Sequence, residues 1–119
     1  MNHNPKRTVL PARIFRTAVK RLRKKYSHIE SDLSDLIDQL QSGATPGDRL
    51  QSISHILFKV RVPNSDAQRG KSGGYRVIYY LQKADQVILV YMYVKSARTD
   101  IRPEELEQIL QDVLKEFND

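Results

Sequence analysis

The chain has 119 residues, 39% of them apolar, and a formal net charge of +6 from 20 Lys/Arg against 14 Asp/Glu. That suffices for one hydrophobic core but not for two, and no apolar run approaches the roughly 18 residues that a transmembrane helix needs. With no cysteine, disulfides and thiolate metal sites are excluded.

The start, MNHNPKRTVLPARIF, lacks the apolar segment of a signal peptide. A cytoplasmic protein is expected, folded as a single domain over residues 1–119 with residues 1–7 flexible. Lys6 to Leu10 predict a short first strand, ended by Pro11. Phe15, Val19, Leu22 and Tyr26 recur at helical spacing, so Ala12 to about Lys25 reads as an amphipathic helix. Its other face carries Arg13, Arg16, Lys20, Arg21, Arg23, Lys24 and Lys25. Ile29, Leu33, Leu36, Ile37 and Leu40 predict a second helix from about His28 to Gln41, with Glu30, Asp32, Asp35 and Asp38 outward. Gly43 and Pro46-Gly47 close it. A basic helix followed by an acidic one suggests an antiparallel hairpin.

The period then changes. Ile56 to Val62, Tyr75 to Gln82 and Gln86 to Lys95 are rich in Val, Ile, Tyr and Phe, as strands are. The third is almost continuously apolar from Val87 to Val94, as in a strand buried on both faces. A short KAD connection makes the second and third a hairpin. Pro103, Glu104 and Glu105 open a closing helix with an apolar stripe of Leu106, Ile109, Leu110, Val113, Leu114 and Phe117. That stripe reads as core, with a partly exposed docking surface as the alternative. The order is β-α-α-β-β-β-α, an α+β fold with a curved antiparallel sheet and helices on one face.

Charge follows the same division. Residues 1–102 hold 19 Lys/Arg against 8 Asp/Glu, whereas residues 103–119 hold one Lys against six acids. A body this basic attracts phosphate backbones through counterion release.

Gly70-Lys71-Ser72 resembles the end of a phosphate-binding P-loop, but the pattern fails twice. The position five residues before Gly70 is Ser65 rather than glycine, and a strand follows where a helix N-terminus is required. Gly73-Gly74 instead reads as a positive-φ entry to the next strand, at the end of a polar loop from Asn64 to Gly74 made basic by Arg69 and Lys71. Alternation is more informative. In FKVRV, Phe58, Val60 and Val62 point one way while Lys59 and Arg61 point the other; in YRVIYY, Arg76 lies opposite Tyr75, Val77 and Tyr79. If the strands pair antiparallel with shared apolar faces, Lys59, Arg61 and Arg76 converge on the open face of the sheet. Neither segment holds an acid, so the three cations would repel one another unless an anion binds.

At these residues the chain resembles the RelE/ParE superfamily of bacterial toxins from type II toxin–antitoxin pairs, within it the RelE/HigB-like branch of mRNA-degrading endonucleases. The resemblance runs from about Val9 to Leu114. Its carriers are HILFKVRVPNSDAQRGKSGGYRVIYYL, VYMYVKSARTDI and the terminal PEELEQIL helix, with Gly74-Tyr75-Arg76 as the family's signature triplet. It implies the same β-α-α-β-β-β-α fold. It also implies a toxin that enters the ribosomal A site and cuts messenger RNA there, without metal or cofactor, by attack of the RNA 2′-hydroxyl on its own phosphodiester.

Carried over by residue, the signature arginine is Arg76, implied to neutralise the scissile phosphate, and the family's lysine-x-lysine falls on Lys59 and Arg61. The catalytic set expected is therefore Lys59, Arg61 and Arg76. Arg61 keeps the charge of a lysine but is a poor proton acceptor. Crowding by Arg61 and Arg76 disfavours the protonated form of Lys59, which nominates Lys59 as the base. Lys71, Lys95, Arg98 and Tyr75 are expected to contact RNA. The tyrosine that some relatives carry in the closing region has no match in DIRPEEL, which leaves Tyr91 and Tyr93 as substitutes by position. His3 falls in a tail and His28 at a helix start, while His55 could reach the rim of the site. These single histidines form no metal constellation.

The implied partners are a cognate antitoxin, messenger RNA on the ribosome and ribosomal RNA, with no membrane; the basic first helix either grips ribosomal RNA or is a solvated face. The alternatives are a ParE-type inhibitor of DNA gyrase, a class that tends to lack the cationic trio, and an inactive relative that only binds antitoxin or RNA.

Overall fold

The computed structural model describes residues 7–51, 54–67, 74–98 and 100–119. The elements run β1 (Thr8–Pro11), α1 (Arg13–Arg23), α2 (Ile29–Gln41), β2 (Asp48–Arg49), β3 (Leu57–Val62), β4 (Tyr75–Lys83), β5 (Gln86–Val94) and α3 (Pro103–Glu116). They form a mixed α+β fold with one five-stranded sheet of order β1-β5-β4-β3-β2. The expected element order is thus present, with the two-residue edge strand β2 added to it. Lys6, at the start of the expected first strand, lies outside the described residues.

The sheet is not purely antiparallel. β3, β4 and β5 pair antiparallel as the hairpin pattern requires, but β1 lies parallel to β5, with Val9 opposite Val87 and Pro11 opposite Leu89. Pro11 is tolerated because β1 is the sheet's outermost strand at that side. β5 sits between β1 and β4, and Val87, Ile88, Leu89, Val90, Met92, Tyr93 and Val94 are all buried. Its unbroken apolar run therefore reflects cover on both faces.

The helical hairpin covers one face. Phe15 and Ala18 of α1 and Ile29, Leu33, Leu36 and Leu40 of α2 are buried against it. Tyr26, between the helices, meets Tyr75 edge-on at 5.9 Å, and Phe58 stacks on Tyr79 at 5.2 Å. Gly43, at φ +104°, ends α2 in the left-handed region while the Ala44 N–H donates to the Gln39 carbonyl.

The closing helix touches that layer where the Arg13 N–H of α1 donates to Glu116 at 3.0 Å, but it also reaches the other face. Leu57, Ile78, Tyr80 and Ile88 point away from the hairpin, as their register with Lys59 and Arg76 requires, yet all four are buried. The Tyr80 hydroxyl donates to Asp119, just past α3. Helix α3 thus covers part of the second face, which corrects the expectation of helices on one side only. Its Leu106, Ile109, Leu110 and Val113 are buried, and Leu114 and Phe117 pack against the core, so the stripe is core.

Gly74 also differs from expectation. It is not among the glycines with positive φ. It is needed for a close approach instead, since a Cβ there would stand 2.9 Å from the Val62 carbonyl oxygen. Gly73, with the rest of the Gly70-Lys71-Ser72 segment, lies outside the described residues.

Candidate active site

Two rows of side chains cross the second face of the sheet. In one, Arg61 on β3, Arg76 on β4 and Tyr93 on β5 are successive cross-strand neighbours; in the next, Lys59, Ile78 and Tyr91 are. The trio therefore shares a face, as alternation predicts. Directly opposed residues of an antiparallel pair have Cβ atoms about 4.5–5.5 Å apart, and like charges so placed destabilise the sheet. Arg61 is exposed and Arg76 half-buried, and among the described residues neither has a carboxylate within 4 Å. Among the described residues the Arg76 side chain makes one hydrogen bond, to the neighbouring Tyr75 carbonyl at 3.4 Å, at the long limit.

A bulge decides what stands beside them. Ile78 pairs with Tyr91 but Tyr79 pairs with Leu89, leaving Val90 as an extra residue in β5. Tyr91 and Tyr93 consequently face the cations, whereas Leu89, of the same parity in sequence, faces the helical hairpin. Tyr93 is nearly buried, and burial pushes its hydroxyl up to about 12.

Lys59 is not free. Its ammonium donates to Asp100 Oδ1 at 3.0 Å, and the same oxygen accepts from the Tyr93 hydroxyl at 3.3 Å and the Ile101 N–H at 2.8 Å. These donors hold the Asp100 carboxyl below the usual carboxylate range, the Ile101 N–H contributing most and the Lys59 ammonium next. The premise behind Lys59 as base was crowding by cations, and the structure gives it an acid as its nearest partner.

Arg98 is committed as well. It makes a two-pronged bridge to Glu105 at 2.6 and 3.1 Å, donates from Nε to the Asp100 carbonyl at 3.0 Å and lies over the Tyr93 ring. This ties the loop after β5 to the first turn of α3 and pairs the Arg98 charge with a carboxylate in the free protein. Lys95 is half-buried just after β5, its backbone N–H on the Gly74 carbonyl. Lys71 lies outside the described residues.

Tyr75 requires a correction. It is fully buried on the hairpin side, opposite Arg76, and its hydroxyl has no hydrogen-bond partner among the described residues. Burial raises its pKa. Strand alternation points it into the core, so it cannot stack on a nucleotide.

The histidines stand apart. His55 meets Tyr80 edge-on at 5.6 Å, and Tyr80 lies four residues, about 13 Å, along β4 from Arg76. His28 bonds Asp66 twice, from its ring at 2.7 Å and its backbone N–H at 2.8 Å, tying the start of α2 to the loop after β3. Among the described residues no group of three or more His, Cys, Asp or Glu could hold a metal ion.

Asp100 as the partner of Lys59, and Glu105 as the partner of Arg98, emerge only from the fold. The signal available was thin: Asp100 is the single acid from Lys95 to Arg102, among three cations, just before a helix.

Such a fold and face define a small α+β protein with an anion-seeking patch on its sheet. The family model of the RelE toxin of the RelE/RelB toxin–antitoxin system matches residues 12–118, and the chain belongs to this family. Membership implies a cognate RelB-type antitoxin as partner. No curated protein matches the chain. Among the described residues no helix is long and apolar enough to cross a membrane.

Proposed function

We propose that this toxin is an endoribonuclease that cuts messenger RNA on the ribosome and so stops translation. RelE toxins are generally endoribonucleases. The observation that carries the reading is the opposition of Arg61 and Arg76 on neighbouring strands without a carboxylate partner among the described residues. A phosphodiester between them relieves their repulsion. In-line attack by the 2′-hydroxyl adds negative charge to the phosphate oxygens, and cations fixed on a sheet meet that charge without reorganising. Arg61 and Arg76 act as the phosphate clamp, and Lys59 supplies the third charge. The many basic residues of α1 add sequence-independent attraction to ribosomal RNA.

The test is induction of the wild type and of Arg76→Ala in bacteria, followed by mapping of transcript 5′ ends. In-frame cuts inside translated codons that vanish in the variant support the reading. Growth arrest with intact messenger RNA and damaged or relaxed DNA would instead indicate a gyrase inhibitor.

A further inference from the structure

This inference rests on the endonuclease reading and names its proton acceptor. The 2′-hydroxyl must lose a proton as it attacks. On the cationic face, the guanidinium groups of Arg61 and Arg76 offer donors and no acceptor. The Tyr93 hydroxyl is nearly buried, and Glu105 is bonded through both oxygens to Arg98. Asp100 differs. Its side chain is 62% exposed, and its hydrogen bonds from Lys59, Tyr93 and Ile101 all end on Oδ1, so that among the described residues Oδ2 accepts none.

We propose that Asp100 is the general base of the reaction and Lys59 its acid partner. Asp100 Oδ2 takes the 2′-hydroxyl proton as the 2′-oxygen bonds to phosphorus. The bond from phosphorus to the 5′-oxygen breaks, and that oxygen takes a proton from the Lys59 ammonium. The products are a 2′,3′-cyclic phosphate and a 5′-hydroxyl. Asp100 is left as the acid and Lys59 as the amine, joined by the hydrogen bond that spans 3.0 Å in the free protein. Loss of the Oδ2 proton to solvent and uptake of one by the Lys59 amine restore the ion pair for the next turnover. The Ile101 N–H and the Tyr93 hydroxyl hold Oδ1 fixed, which leaves the other oxygen presented to substrate.

The charged and titratable groups bonded to Asp100 are Lys59 from β3, Tyr93 from β5 and Arg98 of its own loop; Arg76 of β4 is the cross-strand neighbour of Tyr93, and Glu105 of α3 is held by Arg98. Cations predominate, so the carboxylate is ionised throughout the neutral range. The rate of cleavage is therefore flat from about pH 6 to 8, whereas a lysine base would give about a tenfold rise per pH unit.

The test is single-turnover cleavage of messenger RNA in the ribosomal A site by the wild type, Asp100→Asn and Asp100→Glu. Binding of the same RNA with a 2′-deoxy substitution at the cut site is measured in parallel. Asp100→Asn is expected to lose about 10²–10⁴-fold in rate while binding the uncleavable RNA at least as tightly, and Asp100→Glu to recover part of the rate. Cleavage by Asp100→Asn within about threefold of wild type, or joint loss of binding and cleavage, overturns the proposal and leaves the endonuclease reading intact. So does a wild-type rate that climbs with pH, a readout that decides the matter even if the variants fail to fold. Absence of cleavage by the wild type, with translation intact, overturns both.

Discussion

Arg61 and Arg76 stand directly across from one another in the β3–β4 ladder, two cations in register on the same face of the sheet. Directly opposed like charges cost a folded protein stability, commonly about 0.2–1 kcal/mol. Arg76→Ala is therefore expected to leave thermal stability unchanged or slightly raised, while cleavage of ribosome-bound RNA falls about 10²–10³-fold. Arg76→Lys should restore little, because an ammonium cannot reproduce the two-pronged grip of a guanidinium on phosphate. Calorimetry beside a cleavage assay checks both halves, and a marked loss of stability in Arg76→Ala would show that its role is structural.

Tyr75 supplies a contrasting case beside Arg76. Its hydroxyl is buried without a partner among the described residues, so Tyr75→Phe removes a polar group already desolvated. Stability should hold or rise, and RNA binding should not change. Tyr75→Ala empties a fully buried site and should cost about 3–5 kcal/mol in denaturant unfolding. Weakened RNA binding in Tyr75→Phe would contradict the burial described above.

The His28–Asp66 pair makes stability depend on pH. Asp66 raises the His28 pKa above its usual 6.5, chiefly through their hydrogen bond, and His28 lowers that of Asp66 from 3.8. A raised histidine stabilises fully below its unfolded pKa of 6.5, and the benefit fades as pH rises through the higher folded value. A lowered aspartate stabilises above its unfolded 3.8 and fades as pH falls through the lower folded value. The pair is thus at full strength between those two unfolded values. In an NMR titration of the His28 ring, Asp66→Asn should bring the midpoint down toward 6.5, and an unmoved midpoint would show that the bond is not formed in solution.

Gly47 links the β2 edge to the site. Its φ is +95°, and a Cβ there would stand 2.8 Å from the Val60 Cβ and closer still to the Lys59 carbonyl oxygen. Gly47→Ala should therefore destabilise by about 1–3 kcal/mol from backbone strain alone, more if β3 cannot shift. Displacement of the Lys59 backbone should also reduce cleavage, a coupling absent from substitutions at the exposed Ser42.

What the sequence determined by itself was everything that depends on local period. Side chains two residues apart on a strand share a face, so Lys59 with Arg61, and Arg76 opposite Tyr75, were legible from alternation once the strands were recognised. The amphipathic helices, the doubly buried β5 and the Pro103 helix start were legible for the same reason. Tertiary structure alone decided which groups from distant segments meet on that face. Asp100 reaches Lys59 across 41 positions of chain, Glu105 pairs with Arg98, and α3 reaches the second face of the sheet as well as the first turn of α1. The Val90 bulge turns Tyr91 and Tyr93 toward the cations against the parity of Leu89, and β1 finds a parallel partner nearly eighty residues on. Period is a property of neighbouring backbone dihedrals, whereas charge compensation depends on where loops return. For that reason the sequence revealed three aligned cations, and only the folded chain revealed that one of them already holds a carboxylate.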